Sequence, residues 1–353
     1  MSPSPKPLID FAVEEQIELI RAELDVTKKE LGSVRKVLQK TLAENETLEL
    51  VAKYSGRAIK PPKWLRVPKK SATHHATICS IFSDSHLDEV VNPAEINNVN
   101  AYSREIAEMR LRKYSNNLIK ISRDYLTGLD FDGAVIFLGG DMVAGTLHED
   151  AETNFGTAPE SVVHWGDLLA AMLTQLANEF GKIHCPCVVG NHGRLDSSKP
   201  SRMKGRAKNN WDWMLYQQLA RYFHTDERVT FDITEGSDVM TEIYSHRFLL
   251  SHGDQVTGGG GVGGIWPPVW RMLLRKRQRE HFDVMVIGHF HQLIMAPSQG
   301  LIVNGSSKGY DQFASNCNFA IEPPQQAMWI TTPEHLATFS APIFVADREA
   351  EGW

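Results

Sequence analysis

The sequence predicts an α/β layered domain, with helices covering the faces of a mostly buried sheet, behind a separate N-terminal helical segment. Three observations carry this expectation. From residue 74 onward, apolar runs of strand length alternate with amphipathic stretches of helix length. The runs are apolar throughout, as strands covered on both faces are. Residues 11 to 50 differ from the rest, with apolar residues three and four apart and charges between them.

The elements follow in chain order. Residues 1–55 form the helical segment: Ile17, Ile20, Leu24, Thr27, Leu31, Val34, Leu38, Thr41, Asn45 and Leu48 follow a heptad a/d register. A stripe this narrow and long favours a coiled coil that joins copies of the chain into a homo-oligomer. The alternative is a lone amphipathic helix packed on its own domain. Residues 56–73 are basic and proline-containing and read as a linker. Residues 74–353 form the main domain. In it, "HATICSIF" is a strand, residues 103 to 126 a helix, and "GAVIFLGGD" a strand running into glycines. Residues 160 to 180 are helical, "CPCVVGNHG" is a strand running into a loop, and residues 209 to 223 are again helical. "RFLLSHGD" and "DVMVIGHFH" are strands with polar ends, separated by a glycine-rich loop and the helix "PVWRMLLRKRQREHF". "LIVNGSS", "AMWITT" and "PIFVA" read as short C-terminal strands.

Composition narrows the classes of function. A net charge of −6 excludes a polycation built to coat nucleic acid, so any such contact must come from local basic patches. The first residues hold no apolar signal core, and no apolar run reaches membrane-span length, so the expected setting is cytoplasmic with no membrane partner. The 4 cysteines are too few for a disulfide framework in a chain this long. "CPC" at 185–187 has no second cysteine pair and reads as buried strand rather than metal site.

Five strand ends carry the chemistry: Asp84 and His86 in "SDSH", Asp141 in "GGD", Asn191 and His192 in "GNH", His252 in "SHGD", and His289 and His291 in "GHFH". Ligands in α/β sheets bind beyond the carboxyl ends of strands, so five such ends converge on one crevice. Residues i and i+2 of a strand share a face, which aims Asp84 with His86 and His289 with His291. Any one of these triplets arises readily by chance; the ordered set does not.

This ordered set resembles the calcineurin-like metallophosphoesterase superfamily, whose motifs read D-x-H, G-D, G-N-H, H and G-H-x-H. The resemblance runs from about residue 76 to 310 and is nearest to the phosphodiesterase and repair-nuclease branch. It implies a four-layer α/β/β/α sandwich with a two-metal site. On matching positions, Asp84, His86 and His291 would hold one ion, Asn191, His252 and His289 the other, and Asp141 would bridge them. His192 would be the catalytic histidine, and a metal-bridging hydroxide the nucleophile. Mixed His, Asp and Asn donors without Cys suit two divalent ions such as Mn²⁺, with Fe, Zn²⁺ or Co²⁺ as alternatives.

The sequence departs from the family where an acidic residue usually follows G-N-H. Here Gly193 and Arg194 follow, leaving Asp196 as a candidate to orient the histidine. Arg194 and His148 are candidate substrate contacts, each with a plain surface role as the alternative. "GGDMVAGTLHE" lacks the D-R-G of protein phosphatases, which points to a phosphodiesterase. Two basic, tryptophan-bearing stretches, residues 193 to 213 and 266 to 280, suit phosphate contact and base stacking. The second serves equally as an amphipathic helix with Trp266, Trp270 and Leu273 in the core. The expected activity is metal-dependent phosphodiester hydrolysis, with DNA the first candidate substrate. The alternatives are a phosphodiesterase or phosphatase for small substrates such as cyclic nucleotides, and a coiled-coil scaffold with an inactive body.

Overall fold

The computed structural model describes residues 62–65, 74–145, 154–195, 205–256 and 264–353, with Leu24, Thr27, Lys28, Lys29, Leu31 and Gly32 near the N-terminus. Contacts divide the chain into two units, Met1–Ser55 and Gly56–Trp353. In the first unit the six described residues are helical, and the rest of the heptad stripe lies outside the described residues. All that follows concerns the second unit.

Among the described residues, eleven strands form two sheets. The first has the order β11-β10-β1-β2-β3-β4, from Phe339–Phe344 (β11), Gln325–Thr331 (β10), His75–Phe82 (β1), Asp130–Leu138 (β2), Ile183–Cys187 (β3) and Val229–Ile233 (β4). The strands from β1 to β4 are parallel, and β10 and β11 are antiparallel to their neighbours. The second sheet has the order β5-β6-β7-β9-β8, from Asp238–Ile243 (β5), His246–Ser251 (β6), Val284–Ile287 (β7), Leu301–Val303 (β9) and Ile294–Ala296 (β8).

Alternation along β1 and β2 shows why both faces are apolar. Cys79 and Ile81 of β1, and Val135 and Phe137 of β2, pack against Phe248, Leu250, Val284 and Val286 of the second sheet. The alternate residues face the helices: Tyr114 of the helix Arg104–Lys120 (α1) donates to Ser80 Oγ at 2.8 Å and stacks near Phe82. Two further helices, Ala158–Phe180 (α2) and Trp211–Tyr222 (α3), contact the first sheet beside α1. On the second sheet, Leu249, Met285, Ile287, Leu301 and Val303 pack against Val269, Met272 and Leu273 of the helix Trp266–Arg277 (α4). Gln312–Asn316 (α5) and Arg348–Glu351 (α6) are short C-terminal helices.

Some elements were absent from the sequence reading. β4 and β5 are short and mixed in polarity, and β8 is only three residues long, so their strand signal is weak. Within the stretch read as linker, Leu65 is fully buried between the sheets and its carbonyl accepts from Tyr244 N at 2.6 Å. Cys185 and Cys187 are buried in β3, as expected of a strand. Among the described residues, no helix is long and apolar enough to cross a membrane.

Candidate metal centre

Register brings the strand ends level. Phe82 pairs with Leu138, Leu138 with Cys187, and Ser251 with Ile287, so the turns beyond β1, β2, β3, β6 and β7 open together. Three donor groups result, each with its ligand atoms within 4.8 Å of one another: Asp84, His86 and His291; His86, Asp141 and His192; and Asp141, His252 and His289. Asn191 joins the last, with Oδ1 3.2 Å from His252 Nε2. All eight residues singled out at the strand ends therefore meet in one place.

Strand pleating, expected from the sequence, is not what brings them together. Asp84, His86, His289 and His291 lie past their strands and do not share a face by pleating. Instead Asp84, His86, Asp141, His289 and His291 have φ of 53°, 42°, 49°, 70° and 54°. This is left-handed backbone, which Asp and His tolerate better than most residues but which still carries a cost. Two glycines allow the resulting close approach. A first side-chain carbon at Gly190 would fall on the Asp141 carboxylate, and one at Gly288 on that of Asp84.

Within the cluster, donor atoms face each other. His86 Nε2 lies 3.1 Å from His291 Nε2, which itself lies 3.5 Å from Asp84 Oδ1. His252 Nε2 is 3.0 Å from Asp141 Oδ2, an oxygen with no hydrogen-bond partner in donor geometry although it is buried. The second oxygen of that carboxylate is held by His192 N at 2.7 Å, as Asp84 Oδ1 is by His289 N at 2.7 Å. His252 Nδ1 meets Gly139 O at 2.8 Å, which leaves Nε2 to face the cluster. Imidazole nitrogens and carboxylate oxygens gathered this closely fit a shared cation, which in its absence leaves the His252 imidazole to answer the Asp141 carboxylate.

Burial and neighbouring charge set the proton affinities. Burial pushes His289 down to about 4, with the His252 charge adding to it. Burial also lowers His86, reinforced by Lys308 and His192. For His252 burial acts downward too, but the Asp141 carboxylate outweighs it and lifts the imidazole to about 10. A neutral imidazole is the metal-binding form, so His86 and His289 are already poised to ligate.

Several supporting residues escaped the sequence reading. Asp212, at the start of α3, accepts from Asp141 N and Gly190 N at 2.9 Å and from Met142 N at 3.1 Å. Burial and nearby Asp141 raise it to about 6. Asn210, the N-cap of α3, donates to Gly190 O at 2.8 Å. The start of α3 thus grips both the "GGD" and "GNH" turns. Behind His86, Glu89 Oε2 lies 3.4 Å from Nδ1, and buried Lys308 reaches Glu89 at 2.8 Å. Behind Asp84, Asn304 donates to Ser83 Oγ at 2.9 Å and Ser306 donates to the Asp84 carbonyl at 2.6 Å. The only sequence signal for Asp212 was its place in the helix cap "NNWDW", which marks a helix start but not what it holds.

The other candidates fare differently. Arg194 donates to Asn191 O at 3.0 Å, bracing the "GNH" turn, and is not among the residues lining the cavity beside the cluster. His148, Asp196, Arg202, Lys204 and most of the glycine-rich loop lie outside the described residues. Of the basic stretches, Arg206 pairs with Asp254 at 2.8 Å, Lys208 with Glu235 at 2.7 Å and Lys276 with Asp238 at 2.6 Å. Leu273 is core, while Trp266 and Trp270 are partly buried against it and stack on each other.

No protein-family model matches this chain. No curated protein sequence matches it either. Among solved structures, it is similar to a Streptococcus pneumoniae protein described as a predicted phosphoesterase, at 14% identity over 76% of this chain and 97% of that one, with a TM-score of 0.29. It is also similar to zinc-complexed Vps29 from Entamoeba histolytica, at 11% identity over 76% and 99%, with a TM-score of 0.30. A hypothetical protein from Pyrococcus horikoshii aligns at 11% identity over 78% and 90%, with a TM-score of 0.38.

Proposed function

We propose that this protein is a metal-dependent phosphoesterase that hydrolyses phosphodiester bonds. The observation that carries the proposal is the pair of donor groups either side of Asp141, one containing His86 and the other His252 and His289. In this reading Asp84, His86 and His291 hold one divalent ion, Asn191, His252 and His289 a second, and Asp141 both. When bound, two such ions act as Lewis acids on a phosphate oxygen and supply a nucleophile at neutral pH. The nitrogen and oxygen donor set, without sulfur, suits Mn²⁺ first among Mn²⁺, Fe, Zn²⁺ and Co²⁺.

The remaining steps belong to the chain. With only the Asp84 and Asp141 carboxylates among the seven proposed ligands, the site would not neutralise two dications and would suit an anionic phosphodiester. His192 borders the cavity, with its ring 4.3 Å from that of His86. There its imidazole can hand a proton to the departing oxygen, which a sugar hydroxyl requires and a nitrophenolate does not. The four-layer family sandwich and a coiled-coil N-terminal segment that joins copies of the chain belong to the same proposal.

DNA is the substrate we favour. Arg271, Arg275 and Arg279 recur every four residues and line a cleft of about 190 Å³, a row suited to successive phosphates. The test uses methyl p-nitrophenyl phosphate. Chelator should abolish its hydrolysis, Mn²⁺ should restore it, and Asp141→Asn should remove most of it. Full turnover in excess chelator would overturn the two-metal reading.

A further inference from the structure

The centre opens into a cavity of about 490 Å³. His86, Asp141 and His192 line it, and so do Phe313 and Phe319. That volume is typical of a small-molecule site. Phe313 and Phe319 are 59% and 53% exposed, with ring centroids 6.0 Å apart in an edge-to-face pair. Phe290 continues this wall back to the centre, its ring 5.2 Å from that of His289. Large exposed rings that border a polar centre are rare on a surface with no ligand to cover them.

The wall is a built feature. Asp311 caps α5, accepting from Ala314 N at 2.7 Å, and binds Lys308 Nζ at 2.5 Å. Lys308 also binds Glu89, the neighbour of His86. A buried chain of charges therefore fixes the helix that carries Phe313 to the residue proposed to hold a metal. Because two carboxylates answer the Lys308 ammonium, this part of the cavity has little charge to offer a second phosphate. It offers ring faces instead, with Gln292 and Tyr310 as hydrogen-bonding groups at its margin. Rings with adjacent polar groups suit a heterocycle; an acyl chain would leave those polar groups unmatched.

We infer that this cavity is a base-binding subsite beside the centre, in which one ring of the edge-to-face Phe313–Phe319 pair stacks on the nucleobase and the other packs against its edge. The inference rests on the phosphodiesterase reading and narrows its substrates to nucleotide esters. Stacking of this kind tolerates any base, because every base has a π-face.

The experiment compares thymidine 5′-monophosphate with 2-deoxyribose 5-phosphate, which lacks the base, by calorimetry on the Mn²⁺-loaded full-length protein. The nucleotide should bind at least about ten-fold tighter, and Phe313→Ala or Phe319→Ala should each weaken it roughly 5- to 150-fold, the range of a lost stacking partner. Binding of the sugar phosphate should not change, and Phe313→Tyr should keep the advantage. Both rings are exposed, so these variants should fold. Equal affinity for the two ligands, or equal weakening of both by the alanine variants, would overturn the subsite. Should neither ligand bind while methyl p-nitrophenyl phosphate is still hydrolysed, the subsite fails and the phosphodiesterase reading stands. Should that ester also survive intact with Mn²⁺, both fail together.

Discussion

Replacing Asp212 with asparagine should damage the centre without touching a proposed ligand. The buried Asp212 carboxylate takes four backbone N–H groups, from Asp141 and Gly190 at 2.9 Å, from Met142 at 3.1 Å and from Val143 at 3.4 Å. Asparagine keeps one acceptor oxygen and presents an amide N–H₂ where the other stood. Whichever way the amide turns, at least one buried N–H faces another donor. Leaving such a group unsatisfied costs about 1–3 kcal/mol, and losing the charge on the remaining bonds adds to this, giving about 2–4 kcal/mol for Asp212→Asn. In a unit of this size that is a Tm lower by roughly 4–8 °C. Function should suffer separately, because the two turns held by Asp212 carry Asp141 and Asn191. Loss of such an outer partner typically costs about 10–100-fold in metal affinity. Urea denaturation of chelator-treated protein measures the first effect, and Mn²⁺ titration followed by calorimetry the second. A variant within about 0.5 kcal/mol of the parent, with unchanged Mn²⁺ affinity, would refute the positioning role.

Three further outcomes are expected. His192→Ala should lower turnover of a dinucleotide about 10²–10⁴-fold while a nitrophenyl diester loses far less; equal losses would mean that His192 binds phosphate instead of supplying a proton. Glu351 is buried, which alone would raise its carboxyl, but the Arg110 guanidinium holds both oxygens at 2.8–3.0 Å and brings it below the ordinary 4.5. Its contribution is therefore complete above pH 4.5 and lost as pH falls through the lower folded value. Glu351→Gln should flatten that acid limb of a Tm-against-pH curve and cost roughly 3 kcal/mol at neutral pH; an unchanged limb would remove Glu351 as its source. DNA binding by Asp141→Asn protein should fall steeply with salt, and Arg271→Ala, Arg275→Ala and Arg279→Ala should each flatten the log–log slope by about 0.7–0.9. Lys276→Ala should leave the slope alone, because its ammonium is committed to Asp238 and Gln255; a slope blind to the arginines would shift the substrate to a small nucleotide ester.

What was legible in the sequence was the part written in consecutive residues. A run such as "HATICSIF" is mostly apolar and buried from Ala76 on because Cys79 and Ile81 face one layer while Ser80 and Phe82 face another. The polar residues after such runs were visible because nothing else explains carboxylates and imidazoles there. Asp212, Lys308 and Asn304 could not be read in this way. Each acts across 70 or more residues of sequence, on Asp141 or Met142, on Glu89 and on Ser83, and each looks locally like an ordinary helix-cap or loop residue. The aromatic wall escaped for the same reason: "QFASNCNF" shows two phenylalanines six apart, a spacing that puts them on no common helix face, and Phe319 lies beyond the short helix that carries Phe313.

Left-handed turns, and not strand pleating, aim five of the cluster residues, and the difference bears on function. Pleated strand ends would have aimed Asp84 and His86 at no conformational cost. Left-handed backbone at Asp84, His86, Asp141, His289 and His291 costs roughly 1–3 kcal/mol at each, and it survives only where the surroundings over-determine it. Those surroundings are present: the His289 and His192 N–H groups on the two carboxylates, the Gly139 carbonyl on His252, and Asp212 across both turns. A cluster without a task would relax by exchanging these residues for glycine or asparagine. Instead the strain coincides with the donor atoms, and the hydrogen bonds that maintain it fix the distances between those atoms before any ion arrives. Preorganisation of that kind is what a centre needs if its ligands are to meet a metal without first reorganising.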